Sequence, residues 1–493
     1  MLIEEEEFVT SPDKRVSPVA HLLAESLAGR LSRRDIMKRA GALGLSAPLI
    51  GLMLSANQRA AAAQDATPAA AAIPPGSTIV VPPGLRTDLG GTTITAVLSD
   101  SSSGDNPWHD AQVAKFTEAT GIEVNRIFGE TDTNNRLEIY NQQFAAQDSS
   151  TDVYQIDVIW PGVVAEHAID LNESLSDLAA QQFEAIVANN TVDDKLVGMP
   201  WFTDAGLLYH RTDLLEKYAV EVPTTWAELQ TAAQTIQDGE RATNPNFYGF
   251  VFQGRSYEGL TCNGLEWQVS NGGGTIVESD GTLSINNPQA IAIFEQAAGW
   301  VNTISPEGVT NYNEPDALNV WVGGNAAFLR NWPYAWAASQ DPATSQISGK
   351  IGVGPLPMGE GEGARNAATL GGWQLMVSAY SQNQEAAIEY VKYLCSQELQ
   401  KSFAIERSHL PTIAAVYDDP DVAAASEFIP RLKDVFQGGA VARPSSVTSF
   451  LYPEVSAIYY SELNQILTGA KDATTAVADM ESQIQPLLEE LGI

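Results

Sequence analysis

The stretch Thr93-Ile94-Thr95-Ala96-Val97-Leu98, with Asn106-Pro107 after it and then Gly121-Ile122-Glu123-Val124-Asn125, decides the fold class. The first run is apolar and β-branched and reads as a strand. Asn before Pro starts a helix, and Gly121 ends it. Ile122 and Val124 then alternate with Glu123 and Asn125 in the period of a half-buried strand. Leu137, Tyr140 and Phe144 share one helical face, and residues 153–160 supply a third strand. Strand-helix-strand-helix-strand predicts an α/β lobe.

Downstream, the pattern predicts a second lobe after Pro200-Trp201-Phe202. Thr225 and Glu228 form a capping box for a helix from Trp226 to about Gln237. Asn287-Pro288 starts another, with Ile291, Phe294 and Ala298 on one face. Residues 350–357 end a strand in Gly and Pro, as a crossing between lobes would, and the chain is expected to cross more than once. The final helical stretch, 474–491, carries Val477, Met480, Ile484 and Leu487 at spacings of three and four, and Pro486 is expected to kink or split it. No solenoid-length repeat is visible.

Upstream of Thr92 the chain changes character. Ser32-Arg33-Arg34-Asp35-Ile36-Met37-Lys38 precedes an uncharged stretch, 40–58, that ends near Ala61-Ala62-Ala63. Charged region, apolar region and small-residue cleavage site stand in the order of an export signal, and the paired arginines resemble a twin-arginine signal. Residues 1–63 are therefore expected to be a signal peptide. The competing reading, an anchoring membrane helix, is weakened by Gly41, Gly44, Pro48 and Gly51. Residues 64–91, rich in Ala and Pro, read as a flexible linker.

The 493 residues carry 27 Lys+Arg against 61 Asp+Glu, a formal charge of -34. Such a chain repels nucleic acid and anionic membranes and leaves neutral or cationic small ligands as the natural partners. Cys262 and Cys395 are too few for a disulfide framework or a Cys-rich metal site, and their separation leaves pairing open. Cys395 follows Ile388 and Val391 at helical spacing within 386–399 and reads as a buried small hydrophobe. The histidines stand singly, with no metal-ligand spacing. There is no Gly-x-Ser-x-Gly elbow, phosphate loop or dinucleotide fingerprint. No cofactor is expected. A pair of carboxylates acting as a glycosidase remains open among so many acids.

A neutral sugar presents hydroxyls that donate and accept, and apolar C–H faces, so its site needs charged groups at the edges and aromatic planes against the rings. Asn331-Trp332-Pro333-Tyr334-Ala335-Trp336 follows an apparent strand at 326–329 and is either a ligand platform or a core or interface cluster. Gly371-Gly372-Trp373 offers close backbone approach beside an aromatic, or an ordinary turn. Asp157, flanked by apolar residues, and Asp204, in Thr203-Asp204-Ala205-Gly206, each point either outward from an edge or into a cleft. Arg136 and Arg443 alone read as solvated.

At these residues the chain resembles the trehalose/maltose-binding proteins of ABC importers, within the extracellular solute-binding family that includes maltose-binding protein. The likeness runs from about Thr93 to the C-terminus. It is carried by Asp204-Ala205-Gly206-Leu207-Leu208-Tyr209, by 244–250 and 253–260, by 324–328 with 330–336, and by Ala368-Thr369-Leu370-Gly371-Gly372-Trp373. The resemblance implies a two-lobed periplasmic-binding-protein type II fold with a ligand cleft between the lobes: 92–203 and 356–411 in the first, 204–355 and 412–493 in the second. It implies sugar contacts from Arg136, Asp157, Asp204, Trp332, Tyr334, Trp373 and Arg443, from the backbone at Gly372, and from Tyr257 with Glu258 in a matching segment. Two departures stand out. Phe202 occupies a position where the family has a phenol. The loop 99–106 lacks the family's glutamate, for which Asp105 is the substitute.

The expected function is the exported, non-enzymatic binding component of an ABC sugar importer. It would take a disaccharide such as trehalose or maltose, close its lobes on it and deliver it as a monomer to membrane permease subunits. The alternatives are a secreted glycoside hydrolase and a binding protein for another small polar solute, such as a peptide or polyamine.

Overall fold

The strands expected first are present and lie side by side. In the computed structural model β1 (Thr93–Leu98) is followed by helix α1 (Asp105–Thr120), β2 (Glu123–Phe128), helix α2 (Thr133–Ala145) and β3 (Val153–Asp157). β1 pairs in parallel with both β2 and β3. The structure describes residues 81–99, 105–426, 428–433 and 440–493. The export signal at 1–63, the linker residues 64–80 and the centre of the serine loop lie outside them. Residues 81–91, expected to be flexible linker, are instead docked: Leu85 and Leu89 pack against the core beneath this sheet, and Arg86 pairs with Glu385. A Pro-rich composition concealed two leucines with a surface to cover.

A short hairpin, β4 (Thr191–Val192) and β5 (Lys195–Leu196), precedes the strand that links the two halves, β6 (Met199–Ala205). β6 hands over through Gly206 alone to β7 (Leu207–Arg211), which belongs to a different sheet. That second sheet has the order β10-β7-β9-β8, where β8 is Tyr248–Val251, β9 is Ala326–Asn331 and β10 is Ile351–Gly354. The chain then returns to the first sheet as β11 (Ala368–Val377). β12 (Ala440–Val441) pairs with the start of β11, bringing Arg443 to the junction.

β11 organises the site. It runs antiparallel to β3, with Trp373 opposite Asp157, and antiparallel to β6, with Trp373 opposite Phe202, Gly372 opposite Thr203 and Gly371 opposite Asp204. The register is irregular between Trp373 and Gln374. Gly372 has φ +132, and a Cβ there would lie 2.6 Å from the carbonyl oxygen of Phe202. Glycine is required at that position both by conformation and by the closeness of β6.

Helices cover both sheets. The capping box appears as expected: the Thr225 side chain accepts from Glu228 N, and helix α3 (Trp226–Glu240) follows. Helix α4 (Glu258–Ser270) is wholly buried. Helix α5 (Pro288–Trp300) starts at Asn287, but its buried face is Ala290, Ile293, Phe294, Ala297 and Trp300, so the expected Ile291 and Ala298 flank the buried stripe. Helix α6 (Glu314–Val322) leads into β9. The helical run expected at 386–399 is two helices, Gln384–Leu394 and Gln397–Arg407, because Ser396 caps the second by accepting from Leu399 N. Cys395 sits buried at that break, and Cys262 is buried on α4; both are free thiols. The C-terminal helix, Ala473–Leu491, continues through Pro486 and buries Leu488 rather than Leu487. The lost amide bond falls in its last turns, where few hydrogen bonds remain to break.

Each sheet has its own core. Trp108, Phe116, Tyr390 and Phe403 anchor one face of the first, and Trp226, Phe250, Trp267 and Trp300 one face of the second. Each such side chain contributes about 1.5–3 kcal/mol on burial.

Candidate ligand-binding cleft

The cleft lies where β3, β6 and β11 end against the segment after β9. Arg136, Asp157, Asp204, Trp332, Tyr334, Gly372, Trp373 and Arg443 line one cavity. These come from widely separated segments, and the pairing of β11 with both β3 and β6 puts Asp157, Asp204 and Gly372 at one sheet end. The aromatic cluster divides: Trp332 and Tyr334 enter the cleft, whereas Trp336 packs on Phe428, ring centroids 5.4 Å apart. The segment is thus divided between the cavity lining and a packed cluster.

Trp332 is held from several sides. Tyr209, from the Asp-Ala-Gly-Leu-Leu-Tyr segment, donates its hydroxyl to the carbonyl oxygens of Trp332 (2.9 Å) and Pro333 (3.1 Å). The Arg330 guanidinium lies 4.0 Å from the Trp332 ring centroid and is itself bound by Glu266 at 2.8 and 2.5 Å. The indole edge abuts Gly371, where a Cβ would stand 3.1 Å from the ring. Trp373 has its own cation, Arg136, 4.3 Å from the ring centroid, and meets Trp160 edge-on.

Arg443 joins the two halves of the floor. It donates to Asp157 on β3 (3.1 Å) and to Glu258 at the start of α4 (2.8 Å). Glu258 also accepts from Tyr452 (2.5 Å) and Ser456 (2.6 Å). Burial pushes the Glu258 carboxyl up, with Arg443 opposing. Asp204 is driven well above the usual carboxylate range by burial and then by the neighbouring Asp157. Burial lowers Arg136. The wall also carries buried polar atoms with no hydrogen-bond partner among the described residues: Asp204 Oδ1, Tyr334 Oη, Arg136 Nη1 and Arg443 Nε. Unpaired buried groups cost about 1–3 kcal/mol each, a cost that a polar ligand relieves.

Three expected contacts are placed elsewhere. Asp105 is buried behind the cleft, paired with Arg407 (2.9 Å) and His409 (3.3 Å), and these partners hold its carboxyl below its usual range against the opposing effect of burial. It is engaged in the first lobe's own packing and does not line the cavity. Phe202 packs among Trp201, Phe403 and His409, so the residue that departs from the family's phenol faces a core. Tyr257 stands behind the cavity wall, donating to Glu314 at 2.6 Å. Its neighbour Glu258, expected with it, lines the cavity, as do Glu314 and Gln155, which were not expected there. Glu314, in an ordinary helix start, gave no signal. Among the described residues no group of three or more His, Cys, Asp or Glu is arranged to hold a metal, and no helix is long and apolar enough to cross a membrane.

The comparisons with known proteins agree on kinship. Residues 54–401 match the family described as bacterial extracellular solute-binding protein. A probable ABC transporter-binding protein of Deinococcus radiodurans is 48% identical over 371 residues, 75% of this chain and 87% of that one. The maltodextrin-binding protein MdxE of Bacillus subtilis is 24% identical over 47% of this chain and 53% of its own. Among solved structures, maltose-bound T. maritima MalE3 superposes with a TM-score of 0.76 at 36% identity, covering 80% of this chain and all of that one. The fold is thus the mixed α/β, two-lobed type II arrangement expected from the resemblance.

Proposed function

The chain belongs to the bacterial extracellular solute-binding protein family, exported binding components of ABC transporters and not enzymes, and from that premise we propose that its ligand is a neutral disaccharide of the maltose or trehalose kind. The observation that carries this reading is the pairing of two tryptophan planes with buried, unpartnered donors and acceptors on Arg136, Arg443, Asp204 and Tyr334. Sugar rings offer apolar faces to the first and hydroxyls to the second. The likeness to a structure solved with maltose bound supports the same class.

The lobes, 92–203 with 356–411 and 204–355 with 412–493, close on the sugar about a hinge at Phe202–Asp204 and at 354–357. The protein then docks on permease subunits as a monomer, and its export follows the twin-arginine signal. Micromolar affinity corresponds to about 8 kcal/mol, and charge-assisted hydrogen bonds supply about 1.5–3 kcal/mol each, so a few of these contacts with stacking suffice. Calorimetric titration of the exported form with maltose, trehalose and sucrose, with glucose as control, tests the assignment. Saturable heat with one of the disaccharides is expected. Silence with every oligosaccharide, together with salt-sensitive binding of spermidine, would move the ligand to the cationic class.

A further inference from the structure

We propose that Glu314 is a specificity-determining residue of this cleft, a positioning carboxylate that fixes the planes of Trp332 and Tyr257; the inference rests on the disaccharide reading above. Glu314 opens α6, and the start of that helix is rigid. The Asn313 side chain accepts from Asp316 N at 3.1 Å, and the Asp316 side chain accepts from Asn313 N at 3.2 Å. Such a reciprocal cap fixes the first turn, and the helix N-terminus favours a carboxylate at this position.

From that fixed point the two carboxylate oxygens reach two rings. Oε2 accepts from the Tyr257 hydroxyl at 2.6 Å, and Oε1 accepts from the Trp332 indole N–H at 3.2 Å. The rings come from different segments, one just before α4 and the other at the end of β9, and this carboxylate accepts from both. The Arg330 guanidinium and Gly371, which also lie against the Trp332 ring, restrain its position without directing its N–H. A flip of the indole about its Cβ–Cγ bond would forfeit the bond to Glu314. The carboxylate therefore selects one orientation of the plane.

Glu314 also lines the cavity, and two bonds leave an ionised carboxylate with lone pairs to spare for a ligand hydroxyl. Two disaccharides with the same rings but different linkages present their second ring at different angles. A plane locked in one orientation favours one linkage, whereas a plane free to turn adapts to both. Glu314 in this way sets the preference between linkages.

The test uses the exported form as wild type, Glu314→Gln and Glu314→Ala. Maltose and trehalose are titrated calorimetrically, and the indole N–H resonance of Trp332, assigned with Trp332→Phe, is followed in protein labelled with 15N-tryptophan. The alanine variant is expected to lose about tenfold in affinity for the preferred disaccharide, about 1.4 kcal/mol, and to narrow the ratio between the two sugars. Its unliganded Trp332 resonance should move upfield as the hydrogen bond disappears. The glutamine variant keeps an acceptor for the indole and should fall between. An unmoved indole resonance in Glu314→Ala, or equal proportional losses for both sugars, overturns the proposal. Failure of the wild type to bind any disaccharide overturns the reading it rests on, and the indole shift then decides the positioning of Trp332 by itself.

Discussion

Trp332 and Trp373 each carry a guanidinium at nearly the same distance, 4.0 and 4.3 Å, yet the two cations stand in opposite electrostatic situations. Arg330 is bound in parallel by both oxygens of Glu266 and by Gln253 at 3.2 Å. Glu266 in turn accepts from Thr369 N on β11 at 3.2 Å. Arg136 has a backbone acceptor, the Glu130 carbonyl at 2.5 Å, while its buried Nη1 has no partner among the described residues. The first arginine is satisfied by protein, and the second keeps a donor in reserve. Similar ring contacts thus serve two ends: Arg330 supports its tryptophan, and Arg136 supports one while lining the cavity.

Breaking the satisfied pair should have the largest effect. Glu266→Gln leaves the Arg330 charge buried without its counter-ion, and loss of one partner of a buried pair costs about 3–5 kcal/mol. Urea unfolding followed by circular dichroism should show the midpoint fall with an unchanged slope. A loss below about 1 kcal/mol would mean that the pair is solvated and the contrast with Arg136 is false.

Arg136→Met inverts the expectation. The long apolar side chain fills the space beside Trp373 and removes a desolvated charge, which offsets the lost cation–π contact of about 2 kcal/mol, so stability should stay within about 1 kcal/mol. Ligand affinity should drop by about 1.5–3 kcal/mol, the value of a charge-assisted hydrogen bond. Unchanged affinity with a large fall in stability would assign Arg136 the structural role and blur the comparison.

The same contrast explains what was legible in the sequence. Period-2 and period-3.6 patterns and the Asn-Pro and Thr-x-x-Glu helix starts are local signals, and they located β1, β2 and α3, while the Gly-Gly-Trp run lines the cavity. Nothing local separates Arg330 from Arg136. One meets Glu266 and the other does not because of strand register and helix placement, which are tertiary facts. Asp105 shows the reverse error: a family position pointed to the ligand, but Arg407 and His409, about 300 residues on, hold it in the first lobe. Glu314 was missed for the same reason, since a carboxylate at a helix start reads as a capping residue until β9 and the segment before α4 bring their rings to it.

The two cleft aspartates repeat the comparison at smaller scale. Asp157 has Arg443 at 3.1 Å, whereas Asp204 Oδ1 is buried without a partner. Asp204 is raised by burial, by Asp157 and by Asp105, with Arg330 and Arg443 pulling the other way. A raised folded-state value means that the folded chain holds a proton the unfolded chain releases. Its contribution is therefore complete below about pH 4, the unfolded value, and is lost as pH rises through the higher folded value. His109, lowered to about 3 by burial, acts in the opposite sense, because the unfolded chain takes up a proton below about pH 6.5 that the folded chain refuses. The wild-type profile mixes both, so the informative quantity is the difference between wild type and Asp204→Asn. Between pH 5 and pH 8, unfolding free energies should show the wild type losing ground to Asn as pH rises, by about 1.4 kcal/mol for each pH unit crossed while the folded carboxyl still holds its proton. A flat difference curve would mean that Asp204 is ionised and paired, leaving no distinction between the two acids.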